Sequence, residues 1–227
     1  MRMRIIDQSA DAGLNMQEAG NPQALKGEIR QKYERFARWY DLAEVSEVLG
    51  VWILRRELIQ RASGKVLDVA AGTGKNFAYY PPGCDVTAVD LSPAMLEVAR
   101  KRAARLSLPV TFHVMDAEAL ALPSRAFDTV VSTLSLCTFP DPIAALRKMG
   151  RVCRADGRIL LLEHGRSDRE WLGRWQDRRA DRHAKRLGCR WNREPLALVR
   201  QAGLRALSAR RTFFGIFHLI DASPAVP

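Results

Sequence analysis

Residues 65–76 read Lys-Val-Leu-Asp-Val-Ala-Ala-Gly-Thr-Gly-Lys-Asn. An apolar run from Val66 to Ala70, interrupted only by Asp68, ends on Gly72-Thr73-Gly74. The run predicts a buried strand, and the small turn after it lets backbone come close to a ligand. A carboxylate inside such a strand is costly unless something pairs with it. The expected partner of Asp68 is a cation carried by the ligand. A second acid, Asp90, stands 22 residues further on. Turn, buried acid and second acid together fit an adenosine-bearing ligand with a positive charge.

Outward from that turn, strands and helices alternate. Strands are predicted at 65–70, 85–89, 110–115, 127–132 and 158–163. A helix is expected behind the glycine turn as far as Pro81-Pro82. Ser92 followed by Pro93 opens another helix, to about Leu106, and Asp141-Pro142 opens a third, ending near Cys153. This alternation predicts an α/β fold of parallel strands joined by crossover helices. Segments 204–212 and 214–219 are strand-like but too close together for a crossover, so they are expected as antiparallel neighbours.

Upstream, Ile29, Tyr33, Phe36, Ala37 and Tyr40 recur at helical spacing, as do Val45, Val48, Leu49, Trp52, Ile53 and Ile59. The organisation expected is a polar tail at 1–22, a helical cap at 23–62 and a ligand-binding domain at 63–227, with a basic helical insert at 166–193.

The 227 residues suit one such domain with a small cap. Lys and Arg number 36 against 25 Asp and Glu, a net charge of +11. That balance fits a well-solvated surface or an anionic partner: nucleic acid, lipid headgroup or acidic substrate. Cys84, Cys137, Cys153 and Cys189 form no C-x-x-C pair, so spacing signals neither a metal site nor a redox motif. Scattered thiols and a start without a signal-like apolar core predict a cytoplasmic protein. Apolar runs at 48–54 and 213–217 fall short of the roughly 20 residues that span a bilayer.

In an open α/β sheet, ligands bind beyond the carboxyl ends of the strands. The expected cofactor-binding set at those ends is Asp68, Ala70, Gly72, Gly74 and Asn76 from strand one, and Asp90, Leu91 and Met95 from strand two. Asp116 and Ala117 from strand three and Ser132 and Thr133 from strand four complete it. Asp90 is suited to accept two ribose hydroxyls. Asp116 is suited to accept from an adenine amino group, with the Ala117 N–H donating to a ring nitrogen. Leu91 and Met95 are placed to sandwich the base. Each acid alone could be a helix cap; three strand ends in series favour a binding crevice. The third glycine of a dinucleotide G-x-G-x-x-G is missing. A phosphate-cradling G-x-x-x-x-G-K-S/T also fails, because Asn76 follows Lys75 and Val69 stands at the first glycine. S-adenosylmethionine fits best.

The chain resembles the class I S-adenosylmethionine-dependent methyltransferases of the type-11 group, over residues 33–222. The resemblance runs through V-L-D-V-A-A-G-T-G at 66–74 and V-D-L-S-P-A-M-L-E-V-A at 89–99, then 116–123 and Phe127-Asp128-Thr129-Val130-Val131-Ser132. Within the group it is similar to the ubiquinone/menaquinone C-methyltransferases. It is closer to the thiol methyltransferase-like proteins, through Leu162-Glu163-His164-Gly165-Arg166-Ser167 and Gly188-Cys189. Ala70 departs from the glycine of many relatives. The resemblance implies a Rossmann-like three-layer sandwich with a seven-stranded, mostly parallel sheet and an antiparallel C-terminal hairpin.

It also implies direct attack by an acceptor on a sulfonium methyl, with a base needed only for an acceptor proton of high pKa. His164 and Tyr40 are the catalytic candidates, with Cys137 behind them; the alternative for His164 is a residue that only orders its loop. Tyr40-Asp41 resembles the Tyr-Asp of a family helix that covers the cofactor. The implied acceptor is small or lipophilic: a thiol, a quinol ring or a phospholipid amine. An RNA methyltransferase and a non-catalytic cofactor-binding module are the alternatives. After strand four, Ser132-Thr133-Leu134-Ser135 lacks the Asn/Asp-Pro-Pro-aromatic stretch of base-amino methylation, and Leu136 precedes Cys137 where a base C5 enzyme has proline. Both points argue against nucleic acid. Oligomeric state is left open.

Residues 166–193 hold nine Arg and one Lys against four acids. Trp171, Leu172, Trp175, Ala184 and Leu187 share one helical stripe. The favoured expectation is a lid helix with Trp and Leu packed inward. The other is a basic amphipathic surface on anionic lipid, sharing a face with Trp39, Val51, Trp52 and Arg55-Arg56.

Overall fold

The apolar runs become strands of one sheet in the computed structural model, which describes residues 22–36 and 50–225. Helices α1 (Pro22–Phe36) and α2 (Val51–Ile59) come first. They are followed by β1 (Lys65–Val69), β2 (Asp85–Asp90), α3 (Pro93–Arg105), β3 (Val110–Val114) and β4 (Phe127–Thr133). Helix α4 (Pro142–Val152) leads directly into β5 (Cys153–His164). The chain then forms α5 (Glu170–Leu187), α6 (Pro195–Gln201), β6 (Arg205–Thr212) and β7 (Phe217–Ser223).

Among the described residues, seven strands pair in the order β3-β2-β1-β4-β5-β7-β6. Neighbours from β3 to β5 run parallel, with Asp68 level with Ala88 on one side and Val131 on the other. Strand β7 is antiparallel to both β5 and β6. Alternate residues feed opposite apolar layers, as the two-residue period of a strand requires. Val66, Ala88, Val131, Leu160 and Leu162 face Leu58 and Ile59 of α2 and Ala99 of α3. Leu67, Val69, Val130, Ile159 and Leu161 face Leu146 and Met149 of α4 and Val199 of α6. Both faces of the central strands are therefore covered, and each fully buried aliphatic side chain contributes about 1.5–3 kcal/mol. The result is the expected three-layer, Rossmann-like arrangement.

The cap-then-proline helix starts form as expected. Ser92 Oγ accepts from Met95 N at 3.2 Å and Asp141 Oδ1 from Ala144 N at 2.9 Å.

Four local expectations are corrected. No α-helix follows the glycine turn; a single 3-10 turn, Phe77–Tyr79, takes its place. Ala70, Gly72 and Gly74 all hold positive φ, which uses up the length a helix would need before Pro81-Pro82 stops it. Strand β5 starts at Cys153 rather than 158, because Cys153 pairs with Phe127 before a register shift brings Arg158 opposite Thr129. Strand β7 starts at Phe217 rather than 214, because Phe213, Phe214 and Gly215 make the turn with positive φ. The stripe on α5 faces out: Trp171 is 65% and Leu187 59% exposed, while Gly173, Gln176 and Ala180 are buried. Gln176 explains the rotation. It accepts from Ser167 N at 2.7 Å and donates to Gly165 O at 3.1 Å, so the polar face is the one the chain satisfies internally.

Candidate functional site

Strand order reverses between β1 and β4, and a crevice opens there beyond the carboxyl ends of the strands. Ala70, Gly72, Asp90, Leu91, Met95, Asp116, Ala117 and Thr133 line it. Asp68, Gly74, Asn76 and Ser132 are not on its wall; they are buried behind it.

The glycine turn is shaped for close approach. Gly72 has φ +56°, and a Cβ built there meets nothing within 4 Å, so the space above it is open. Gly74 has φ +76°, and a Cβ there would lie 2.5 Å from the Phe77 ring. One glycine thus faces the crevice and the other packs the support. Ala70 holds φ 54° in a region that costs an ordinary residue about 1–2 kcal/mol.

Asp90 ends β2 on the crevice wall. Its Oδ2 accepts from Gly72 N at 2.9 Å and its Oδ1 from Ser92 N at 2.8 Å. Each carboxylate oxygen has a second acceptor site, so both can still take a hydroxyl. Burial raises the Asp90 pKa, against the pull of the Ser92, Gly72 and Leu91 backbone N–H groups. Asp116 caps the next turn, its Oδ1 accepting from Glu118 N at 2.9 Å. Lys26 of α1 reaches across to Asp116 Oδ2 at 2.6 Å and Glu118 Oε2 at 2.7 Å. Ile29 and Arg30 of the same helix also line the crevice.

Behind the wall, Asp68 has its partners within the chain, which corrects the expectation of a ligand cation. Asn76 Nδ2 donates to both Asp68 oxygens at 3.0 Å and Tyr80 Oη donates at 2.9 Å. Arg55 Nη1 of α2 donates to Asn76 Oδ1 at 2.8 Å and Thr133 Oγ1 at 2.7 Å. Burial pushes the Asp68 pKa up to about 6, opposed by hydrogen bonds from Asn76 and Tyr80. Asp68 and Asn76 are therefore supports of the turn, tied to the N-terminal helices through Arg55.

On the opposite side, Glu163 is fully buried and holds the loop after β4. Its Oε2 accepts from both Ser135 N at 3.0 Å and Leu136 N at 3.1 Å. Burial pushes its pKa up to about 7, opposed by His164 and by the Ser135 and Leu136 N–H groups. Ser132 bonds Ser135 and Glu163 within the same layer. His164 is not on the crevice wall; its Nε2 lies 3.3 Å from Cys189 Sγ. Tyr40 and Asp41 lie outside the described residues. Sequence reasoning missed Lys26 and set Val51 and Arg55 on the alternative lipid-facing surface, whereas both are buried; Lys26 and Arg55 act across long separations that no local pattern encodes.

Residues 67–161 match the family model described as "Methyltransferase domain". The chain carries a methyltransferase domain. Its fold is of the Rossmann-like kind. The chain is 32% identical over 205 residues to "Methyltransferase OMS1, mitochondrial" of Saccharomyces cerevisiae, covering 81% of this chain and 43% of that protein. It is 32% identical over 158 residues to demethylmenaquinone methyltransferase of Deinococcus radiodurans, covering 66% and 65%. Over 121 residues it is 37% identical to thiol S-methyltransferase TMT1B of Homo sapiens, covering 51% and 50%. The chain spans about half the length of the curated relatives it matches. A solved structure titled an S-adenosylmethionine-dependent methyltransferase from Thermotoga maritima shares the fold, with TM-score 0.62, 20% identity and coverage of 86% and 99%. Among the described residues, no helix is long and apolar enough to cross a membrane.

Proposed function

We propose that the methyltransferase domain transfers a methyl group from S-adenosylmethionine to a small or lipophilic acceptor: a thiol, a quinol ring or a phospholipid amine. The observation that carries this reading is Asp90 on the crevice wall beside the open space over Gly72. S-adenosylmethionine supplies an electrophilic methyl on a positively charged sulfur. Asp90 would hold the ribose hydroxyls, and Leu91 and Met95 would enclose the base. Asp116, oriented by Lys26 and Glu118 N–H, would accept from the adenine amino group. Leu134, Phe139 and Pro140 give the crevice an apolar stretch suited to a lipophilic acceptor and to excluding water. The chain's part in the transfer is alignment of acceptor and methyl. His164 is engaged by Cys189 and is not assigned the role of base; Tyr40 is the candidate that remains.

Peripheral contact with an anionic membrane belongs to the same proposal. Exposed Trp171 and Leu187 share α5 with Arg178, Arg182 and Arg186, a combination that favours a lipid interface. The relatives named for quinone and thiol chemistry support an acceptor of this class.

The test is mass-spectrometric detection of methylated product from S-adenosylmethionine with an alkyl thiol, a reduced quinone and phosphatidylethanolamine vesicles. Transfer to at least one is expected. Cofactor binding without transfer to any of them would replace catalysis by simple binding, and transfer to RNA instead would replace the acceptor class.

A further inference from the structure

Outside the cofactor crevice, three soft donors from three elements meet. Cys137 lies in the loop after β4, His164 ends β5, and Cys189 follows Gly188 at the end of α5. Their donor atoms all lie within 4.8 Å of one another. They stand 27 and 25 residues apart in sequence, a spacing that resembles no metal motif.

The carriers of the three donors are fixed by bonds that do not use the donors. Arg190 N donates to Cys137 O at 2.9 Å, joining the loop after α5 to the loop after β4. His183 Nδ1 lies 2.8 Å from Cys189 O, and its ring stacks on Trp191 with centroids 4.0 Å apart. Arg193 Nη1 donates to Leu136 O and, at 2.8 Å, to Phe139 O. Glu163 holds Ser135 and Leu136 from below. Cys137 also donates weakly to Leu134 O, at 3.8 Å, as Cys84 and Cys153 do to backbone carbonyls at 3.7 Å, but only Cys137 and Cys189 gather with a histidine among the described residues.

We propose that Cys137, His164 and Cys189 bind one thiophilic divalent metal ion, zinc(II) foremost, with a fourth coordination position left for an exogenous ligand. Two sulfurs and one imidazole nitrogen suit zinc and are poor ligands for hard cations such as magnesium, which take oxygen. Tetrahedral zinc with Zn–S of about 2.3 Å and Zn–N of about 2.0–2.1 Å puts its donors about 3.5–3.8 Å apart. The 3.3 Å between Cys189 Sγ and His164 Nε2 reaches that edge by a shift of a few tenths of an ångström. Among the described residues no fourth His, Cys, Asp or Glu joins the group. Three protein ligands with one open position is the pattern of zinc sites that bind a water or substrate atom. Both sulfurs would bind as thiolates, and any proton they still carry goes to solvent. Cys137 lies between Ser135 and Thr138, both on the crevice wall, so the ion would stand at the crevice's edge. The proposal does not depend on the identity of the methyl acceptor.

The experiment uses the full chain, kept reduced and stripped with chelator, then titrated with zinc(II) against a chromophoric competitor. One equivalent per chain should bind, with proton release. Cobalt(II) in the same site should give thiolate-to-metal charge-transfer absorption. Loss of an outer-sphere partner already weakens metal sites by about 10–100-fold, so Cys189→Ser and His164→Ala should each weaken binding by at least about 100-fold. Cys153→Ser should leave affinity unchanged. Calorimetric binding of S-adenosylmethionine and thermal melting establish that each variant is folded. Cys137 is buried, so it is left unmutated and a second readout is used: zinc(II) should protect Cys189 of the unmutated chain from alkylation. Binding below about one-fifth of an equivalent, equal affinity in folded Cys189→Ser, or cobalt(II) spectra without thiolate bands would each overturn the proposal.

Discussion

Two fully buried carboxylates stand on opposite sides of the crevice and are satisfied by different means. Asp68 is held by side chains: Asn76, Tyr80 and, through Asn76, Arg55. Glu163 is held chiefly by backbone, the N–H groups of Ser135 and Leu136. Side-chain donors can turn to new partners when their acceptor is lost; backbone donors fixed in a loop cannot. The β1 side is thus a network that links the cap to the glycine turn, and the β5 side is a pin that sets the course of one loop.

The comparison is sharpest in its largest expected effect. Glu163→Ala should cost at least about 3 kcal/mol of unfolding free energy in urea, because two fixed N–H groups lose their acceptor. A cost below that of Asp68→Ala would break the distinction. Asp68→Ala should cost about 2 kcal/mol, since Asn76 and Tyr80 can reorient. The two groups also share a pH signature. Both bind their proton more tightly folded than unfolded, so their contribution is full below the ordinary carboxylate range. It is lost as pH rises, through about 6 for Asp68 and about 7 for Glu163. Unfolding free energy should therefore fall between pH 5 and pH 7.5 as carboxylates ionise in place. Glu163→Gln, which cannot ionise, should flatten the upper part of that fall; an unchanged profile would remove Glu163 as its source.

Asp90 offers the third contrast, a carboxylate that faces the crevice. Asp90→Ala should weaken S-adenosylmethionine by about 1.5–3 kcal/mol in calorimetric titration. Its effect on melting should be smaller than that of either buried acid, and unchanged affinity would sink the assignment. The smallest effect is expected at Ala70. Replacing it by glycine relieves a left-handed alanine but frees the unfolded chain, so Ala70→Gly should gain between zero and about 1 kcal/mol in thermal melting. A loss greater than that would mean the methyl group packs usefully.

How much of this could be read from residues alone varies with the range of the contact. The crevice was legible because its parts sit at strand ends, where Gly72, Asp90 and Asp116 follow apolar runs. The burial of Asp68 was legible from its neighbours, but its partners were not: Asn76 and Tyr80 follow a turn whose φ angles no pattern revealed, and Arg55 comes from α2. The orientation of α5 was misread for a related reason. Apolar periodicity assumes that the apolar stripe goes inward, yet Gln176 is satisfied by Ser167 and Gly165, and the tryptophans are left outside. Cys137, His164 and Cys189 carry no spacing signal at all; only the return of three loops to one point joins them.

The bond from Lys26 to Asp116 spans 90 residues of chain and puts part of the crevice roof on α1. Exchange of the proposed nucleoside should then depend on that strap, whose fastening is ionic. Added salt should hasten exchange of the bound cofactor, while Lys26→Met should make that rate insensitive to ionic strength. The gatekeeper of the nucleotide would be a helix far from the glycine turn in sequence, and its grip would be set by the medium as much as by the protein.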